Sequence, residues 1–462
     1  MDFINIKEKK IKLFKPEIYK YYQEYKFNET KSKQKILDLQ FNKLKNIINY
    51  SYEFVPFYRN LWDEYGQNID IKDFADLEKF PLVNKNMMQK ALLNNSAIAK
   101  KYLKSKSLIR LQTTGSSGTP FIFPLNKNAF YEREGVKLAI NEWFGYGIEK
   151  KRVRLWRGVI NKPNLYERFR AKLNKVYTLC IYDPNEPVAT VLNEKRAKYF
   201  IRELNKIKPD IIDGYVSALL FLSKYIIEKN IDLSFQPESI VTGAEVLSDE
   251  ARSKIQVAFK TRVYNRYGGT ETSTIAHECI EESKNNHYLH IRSDRMYVEC
   301  IKNGKSVFDT EGEVTFTDFT NKAMPFIRFQ VGDIAIISNK YKSKSNLPFP
   351  VIKKIQGRIN DYFVLQNGSL ISSHLWHNYF RAYELIDEFQ VRQKTIDYVI
   401  VTYTVNKQYY DNSLFEELKT KVKKALPGCV VKWKEVNRIP VGPGGKFRHS
   451  ISNIKFDLNN LR

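Results

Sequence analysis

Ser239-Ile240-Val241-Thr242, a helical stretch at 248–259 and then Arg262-Val263-Tyr264 read as strand, helix and second strand, and this run decides the fold class. Short apolar runs joined by a helix-period segment belong to strands buried on both faces. The pattern extends upstream, where helical stretches at 128–142, 193–207 and 216–229 alternate with apolar strands such as Ile211-Ile212. Such alternation predicts an α/β protein with a mostly parallel, doubly wound sheet, which binds ligands at the carboxyl ends of its strands.

Toward the N-terminus, Leu37, Phe41, Leu44 and Ile48 fall at helical spacing within 33–50, predicting an amphipathic helix that stops before Val55-Pro56. Residues 73–90 read as short helices and turns, and Leu108 to Gln112 as a strand. Beyond 285 the pattern turns to strands at Tyr297–Ile301, Glu313–Thr317 and Ile334–Ser338, predicting a β-rich subdomain. After Gly357 a small α+β unit follows, with a strand at Tyr398–Tyr403 and a helix at Ser413–Leu426. The expected division is 1–356 and 357–462.

A chain of 462 residues with 43% apolar and 14% aromatic residues can bury a sizeable core, which excludes a disordered chain. Lys and Arg exceed Asp and Glu by 76 to 51, and the net charge of +25 favours anionic partners. The basic residues are scattered and lack the interleaved glycines and aromatics of a nucleic-acid reader, so no nucleic acid is expected. Cys180, Cys279, Cys300 and Cys429 form no CxxC pair, which fits a reducing, cytoplasmic setting. No apolar stretch is long enough to span a membrane, and peripheral contact with a membrane surface stays open.

Five segments carry the chemistry. Thr113-Thr114-Gly115-Ser116-Ser117-Gly118-Thr119-Pro120 offers backbone amides and hydroxyls that can surround phosphate oxygens, without the lysine of a Walker loop. Tyr267-Gly268-Gly269-Thr270-Glu271-Thr272 joins an aromatic ring, a hydroxyl and a carboxylate able to ligate Mg²⁺. Arg328-Phe329-Gln330-Val331-Gly332-Asp333 places a carboxylate after a glycine, suited to ribose hydroxyls. Gly357-Arg358-Ile359-Asn360-Asp361 lies at the proposed boundary, and Pro443-Gly444-Gly445-Lys446-Phe447-Arg448 carries a lysine on a glycine-rich loop. Each alone reads as an ordinary turn; their order and distances give them weight.

In that order the segments resemble the core motifs of the adenylate-forming superfamily of acyl-CoA synthetases, nonribosomal adenylation domains and luciferases. Val55-Pro56-Phe57-Tyr58-Arg59, Phe80 to Lys85 and Lys208 to Ser217 extend the likeness to the phenylacetate-CoA ligase family, including its CapK-like members associated with capsule polysaccharide biosynthesis. The resemblance covers roughly residues 35–455. It implies a large nucleotide- and acid-binding domain and a small, mobile C-terminal lid.

By similarity, Thr113, Thr114, Gly115, Ser116, Ser117, Gly118 and Thr119 form the phosphate loop. Gly243, Ala244, Glu245, Tyr267, Gly268, Gly269 and Thr270 border the nucleotide. Glu271 binds Mg²⁺, Asp333 and Arg358 hold the ribose, and Lys446 bridges the carboxylate and α-phosphate. The pivot maps to Asn360 or Asp361. Thr242-Gly243-Ala244-Glu245 departs from the two glycines that many relatives carry before the glutamate.

Some relatives carry a metal after the Gly-Gly-Thr-Glu turn, and His277, Cys279, His290 and Cys300 offer a zinc-type donor set, with purely structural roles as the alternative. The activity implied is ATP-dependent activation of a small-molecule carboxylate to acyl-AMP, then acyl transfer to coenzyme A. Two alternatives stand beside it: transfer to an amine or sugar acceptor in surface-glycan biosynthesis, and a non-catalytic binding protein on the same fold.

Overall fold

The computed structural model describes residues 11–66, 69–113, 121–147, 149–156, 165–180, 194–282, 286–358, 363–366, 370–371, 376, 379–380, 385–439 and 449–454. The chain divides into two compact units. The first comprises Met1–Glu299, Thr315–Gln330 and Ile337–Lys353, and the second Cys300–Val314, Val331–Ile336 and Lys354–Arg462.

The first unit opens with helices α1 (Pro16–Asn28), α2 (Lys33–Phe54), α3 (Pro56–Glu64) and α4 (Lys85–Leu93). Ser32 caps α2 by accepting from Lys35 N, and Pro56 starts α3 at the position where a missing N–H costs nothing. The buried stripe of α2 is Ile36, Gln40, Leu44, Ile47, Ile48 and Ser51, turned one residue from the expected Leu37 and Phe41, which are half-buried. The reason is polar: Gln40 Nε2 donates to Met296 O at 2.9 Å inside the core, a partner invisible to periodicity.

A hairpin of β1 (Ile109–Gln112) and β2 (Ile122–Leu125) leads into α5 (Lys127–Asn141). Helix α1 lies directly on α5 because position 135 is glycine: a Cβ there would fall 2.6 Å from Tyr21 Cβ and 2.8 Å from Ile18 O.

The nucleus follows as β3 (Arg152–Trp156), α6 (Leu165–Asn174), β4 (Val176–Cys180), α7 (Glu194–Ile207), β5 (Ile211–Tyr215), α8 (Val216–Glu228), β6 (Ser239–Gly243), α9 (Asp249–Phe259) and β7 (Val263–Gly269). The strands lie in the order β4-β3-β5-β6-β7 and pair in parallel, as the alternation predicts. Strands β5 and β6 are buried throughout, and Phe200, Leu204, Leu219, Leu222, Ile255 and Phe259 from the helices pack on them. The sheet then continues antiparallel through β8 (Ser273–His277), β9 (Leu289–Ile291) and the start of β14 (Val351–Arg358), so it is mixed. Between them in sequence come β10 (Met296–Lys302), β11 (Lys305–Ser306), β12 (Glu311–Asp318) and β13 (Phe329–Ser338), the expected β-rich stretch.

The second unit has its own core around Trp376, Phe389, Val399, Val401, Phe415 and Leu418. It contains the pair β15 (Phe363–Val364) and β16 (Leu370–Ile371), and a sheet ordered β19-β18-β17-β20. These strands are β17 (Ile386–Thr395), β18 (Tyr398–Val405), β19 (Val430–Glu435) and β20 (Ser450–Ser452). Helix α10 (Asn412–Ala425) is capped by Asp411, which accepts from Ser413 N and Leu414 N. Among the described residues no helix is long and apolar enough to cross a membrane.

Candidate active site

The turn after β7 is built to hold a fixed shape. A register shift between Tyr267 and Gly268 lets β7 and β8 close on each other, and a Cβ at Gly268 would lie 2.0 Å from Ser273 O and 2.9 Å from Thr274 Cα. Only glycine fits there. Thr272 Oγ1 accepts from Gly269 N at 2.8 Å.

Two buried arginines clamp the turn from behind through its carbonyls. Arg133 of α5 donates to Thr270 O at 3.2 Å and Glu271 O at 2.7 Å, and Arg295 donates to Thr272 O at 2.7 Å. Both also bond Asp318 Oδ2, at 2.9 and 3.1 Å, while Asp318 Oδ1 accepts from Thr320 N and Oγ1. Burial alone would raise the Asp318 pKa, but Arg295 and Arg133 outweigh it and hold the carboxyl below its ordinary value. These charge-assisted bonds make the turn a rigid platform for the half-buried Glu271, whose Oε2 lies 3.4 Å from where a Cβ on Gly269 would stand. Its oxygens suit a hard cation such as Mg²⁺.

Inside the parallel sheet, short of its carboxyl ends, charged residues stand among the apolar ones: Arg152 opens β3, and Arg154 pairs in register with Asp213 in the middle of β5. Asp213, fully buried in β5, is bonded by Arg152 of β3 and by Arg266 of β7, the latter at 2.9 Å. Burial would raise its pKa, yet Arg152, Arg266 and Arg154 drive it well below the usual carboxylate range. Trp156 and Tyr215 stack with centroids 4.4 Å apart. The Arg266 guanidinium packs on Gly243, its Nε and Nη2 each 3.5 Å from the position of a Cβ there. Ala244 follows with φ +67°, a left-handed conformation that glycine adopts freely and alanine at a cost of about 1 to 2 kcal/mol.

Of the residues named from sequence, Gly243 thus ends β6 with Ala244 just after it, and Tyr267, Gly268, Gly269, Thr270 and Glu271 form the clamped turn. Glu245, half-buried, follows Ala244. Thr113 closes the mouth of its loop: its N donates to Phe121 O at 2.9 Å and its Oγ1 accepts from Phe121 N at 3.1 Å. Thr114, Gly115, Ser116, Ser117, Gly118 and Thr119 lie outside the described residues, as do Asn360, Asp361 and Lys446. Asp333 is half-buried in β13 of the second unit; Arg358 ends β14, and its side chain lies outside the description.

The zinc-type set is rearranged. Cys279, Glu282 and His290 bring one ligand atom each within 4.8 Å of one another, all buried, and a thiol, a carboxylate and an imidazole fit zinc. Glu282 also accepts from Tyr341 Oη at 2.6 Å and Ser343 Oγ at 2.8 Å, while burial pushes the Cys279 thiol up to about 11. His277 is not in this cluster: it stacks on Phe144 with centroids 4.5 Å apart, and its Nδ1 bonds Glu278 O. Cys300 belongs to the second unit, where its Sγ donates to Ala335 O at 3.2 Å.

Sequence reasoning missed Glu282, Arg133, Arg295, Asp318 and the arginine cluster about Asp213. One signal was present, since Arg152-Val153-Arg154-Leu155-Trp156 alternates charge and apolar residues with period two, as a strand with one charged face does. The clamp left no local mark because its members come from α5, the segment before β10, and the end of β12.

Comparison with known proteins agrees with this architecture. Residues 363–453 match the model of the CapK C-terminal domain. Protein CapK of Staphylococcus aureus is 27% identical over 445 residues, covering 94% of this chain and 93% of that protein. A phenylacetate-coenzyme A ligase of Thermus thermophilus is 22% identical over 406 residues, 83% of this chain and 84% of the relative. A crystal structure of 2-hydroxyisobutyryl-CoA ligase in the postadenylation state, in complex with 2-HIB-AMP, superposes with a TM-score of 0.73 at 17% identity, covering 92% of this chain and 91% of that one. The chain is therefore a homologue of CapK and of the phenylacetate-coenzyme A ligases, with a CapK-type C-terminal domain on the fold of the adenylate-forming ligases.

Proposed function

We propose that this protein is an acid-CoA ligase type enzyme that activates a carboxylic acid with ATP, forming acyl-AMP and pyrophosphate, and then transfers the acyl group to coenzyme A. The observation that carries this reading is the clamped Tyr267–Thr272 turn, which holds Glu271 on a rigid backbone at the carboxyl end of a parallel strand. Attack of a carboxylate on the α-phosphate builds negative charge at phosphorus, and fixed donors aimed at that charge lower the barrier. Glu271 would hold Mg²⁺, which when bound neutralises phosphate charge. Thr113 and the loop it closes would hold phosphate oxygens, Gly243 to Glu245 the adenine edge, and Asp333 with Arg358 the ribose. Lys446 would bridge the carboxylate and phosphate oxygens. The second unit would act as a lid pivoting at Asn360 or Asp361. Cys279, Glu282 and His290 would hold a structural zinc ion. The four cysteines, all free of disulfides, fit a cytoplasmic setting.

A second reading keeps adenylation and changes the acceptor to an amine or a sugar of a surface polysaccharide. It is favoured by the likeness to CapK, which exceeds that to the phenylacetate-coenzyme A ligases in both identity and coverage.

The deciding experiment is ATP–pyrophosphate exchange with pooled aryl, fatty, amino and uronic acids. Exchange that depends on acid and Mg²⁺, reduced roughly 10²-fold or more in Glu271→Gln and in Lys446→Ala, is expected. Exchange unchanged in both variants would overturn the assignment of these residues, and absence of exchange with every acid would overturn adenylation. Offering coenzyme A, amines and sugars to the wild type then separates the acceptors.

A further inference from the structure

The cluster of Arg152 and Arg154 on β3, Asp213 on β5 and Arg266 on β7 holds three guanidiniums around one carboxylate. Arg152, Arg154, Arg266 and Lys137 face the carboxylates of Asp213 and Glu134. Asp213 is taken by Arg152 and Arg266, and Glu134 by Lys137 at 2.5 Å. Among the described residues the Arg154 side chain makes no hydrogen bond or ion pair, and its Nε is buried without a partner. Its guanidinium lies over the Trp156 ring, 5.1 Å from the centroid, and Arg266 approaches the same ring at 5.9 Å. Stacking on an indole satisfies the face of a guanidinium and leaves its in-plane donors for an anion.

Position decides what these donors meet. Trp156 ends β3, which lies two strands from β6, so it stands about 10 Å beyond the strand that ends in Gly243. On the reading proposed above, the nucleotide lies along Gly243 and the turn after β7, and Arg154 and Trp156 on the β3 side face the part of the acid remote from the reacting carboxylate.

We propose that the acid this protein activates carries a second anionic group, a carboxylate or a phosphate, which docks on Arg154 with Arg266 beside it and the Trp156 ring beneath. The inference rests on the adenylation reading, because that reading puts the acyl site on the β3 side of the nucleotide. Arg154 is then a specificity residue: it touches the remote end of the substrate, and no bond is made or broken there.

The test compares matched acids that differ only in the remote group, namely aliphatic and sugar dicarboxylates with their half-methyl esters, and a phosphorylated hydroxy acid with its unphosphorylated form. Exchange kinetics are measured on the wild type, Arg154→Gln and Arg154→Lys. Dianionic acids are expected to show the higher kcat/KM, and their advantage over the matched monoanions should shrink roughly 10- to 100-fold in Arg154→Gln, mostly in KM, with partial recovery in Arg154→Lys. Equal or better use of monoanionic acids by the wild type, or an advantage unchanged in Arg154→Gln, would overturn the proposal. So would a weaker KM for ATP in Arg154→Gln at saturating acid, which would assign Arg154 to the nucleotide. Direct calorimetric titration of the same acids into the same proteins without ATP separates this inference from adenylation: tighter binding of dianions that Arg154 controls sustains it even if no acid supports exchange, and equal binding of both members of each pair overturns it.

Discussion

Asp318 ties the clamp of the Gly-Gly-Thr-Glu turn together. It is a single buried carboxylate between Arg133 and Arg295, and both arginines reach past it to the backbone of the Gly-Gly-Thr-Glu turn. Replacing it with Asn leaves two guanidiniums in the interior with the charge between them removed, a change that costs about 3 to 5 kcal/mol. Because the folded pKa lies below the ordinary 3.8, the carboxylate's contribution to stability is fully present above that pH and is withdrawn as pH falls below it. Asp318→Asn should therefore unfold at lower urea concentration at pH 7, with a deficit that narrows below pH 4. A deficit that stays constant through that range would remove the ion pairs as its cause.

Strands β7 and β8 show how pairing fixes a functional turn. Their register shift is possible because Gly268 brings no Cβ against Ser273 O. Gly268→Ala must push the strands apart or rotate the turn's carbonyls away from the guanidinium donors of Arg133 and Arg295. Expected is a loss of at least about 2 kcal/mol of stability, since overpacking without room to relax costs roughly 1 to 3 kcal/mol, together with loss of exchange activity. Gly304→Ala is the comparison: it also has a positive φ, +76°, but open space where its Cβ would go, and should cost only about 1 kcal/mol. Equal effects in urea unfolding would mean that strain in φ, and not the approach of β8, constrains Gly268.

The whole chain divides less simply than its linear order suggests. The second unit takes Cys300–Val314 and Val331–Ile336 as well as the segment beginning at Lys354. A chain ending at Gln356 would keep those two segments and lose most of the unit that contains them, including the core around Trp376, Val399 and Leu418. Such a fragment should melt several degrees below the full chain and expose apolar surface to a hydrophobic dye. A fragment as stable as the full chain, with no added dye binding, would show that the two segments need nothing from beyond 356.

Sequence by itself determined the α/β class, the parallel nucleus and, to within a few residues, the elements with a clear local period. Ile211-Ile212, Ser239 to Thr242 and the helices between them are local patterns, written in periodicity and in the glycines and prolines that end them. It also marked Gly268, Glu271 and Thr113 as unusual, because motif residues lie close together along the chain. Tertiary structure alone decided what surrounds them. Arg133, Arg295 and Asp318 meet over separations that no local pattern encodes, and Glu282 joins Cys279 and His290 while His277 and Cys300 find other partners. A charge cluster such as Arg152, Arg154, Arg266 and Asp213 has no sequence spacing of its own: hydrogen-bond register sets Arg154 of β3 opposite Asp213 of β5 and aligns β7 with both through β6, and only then do their charged side chains converge.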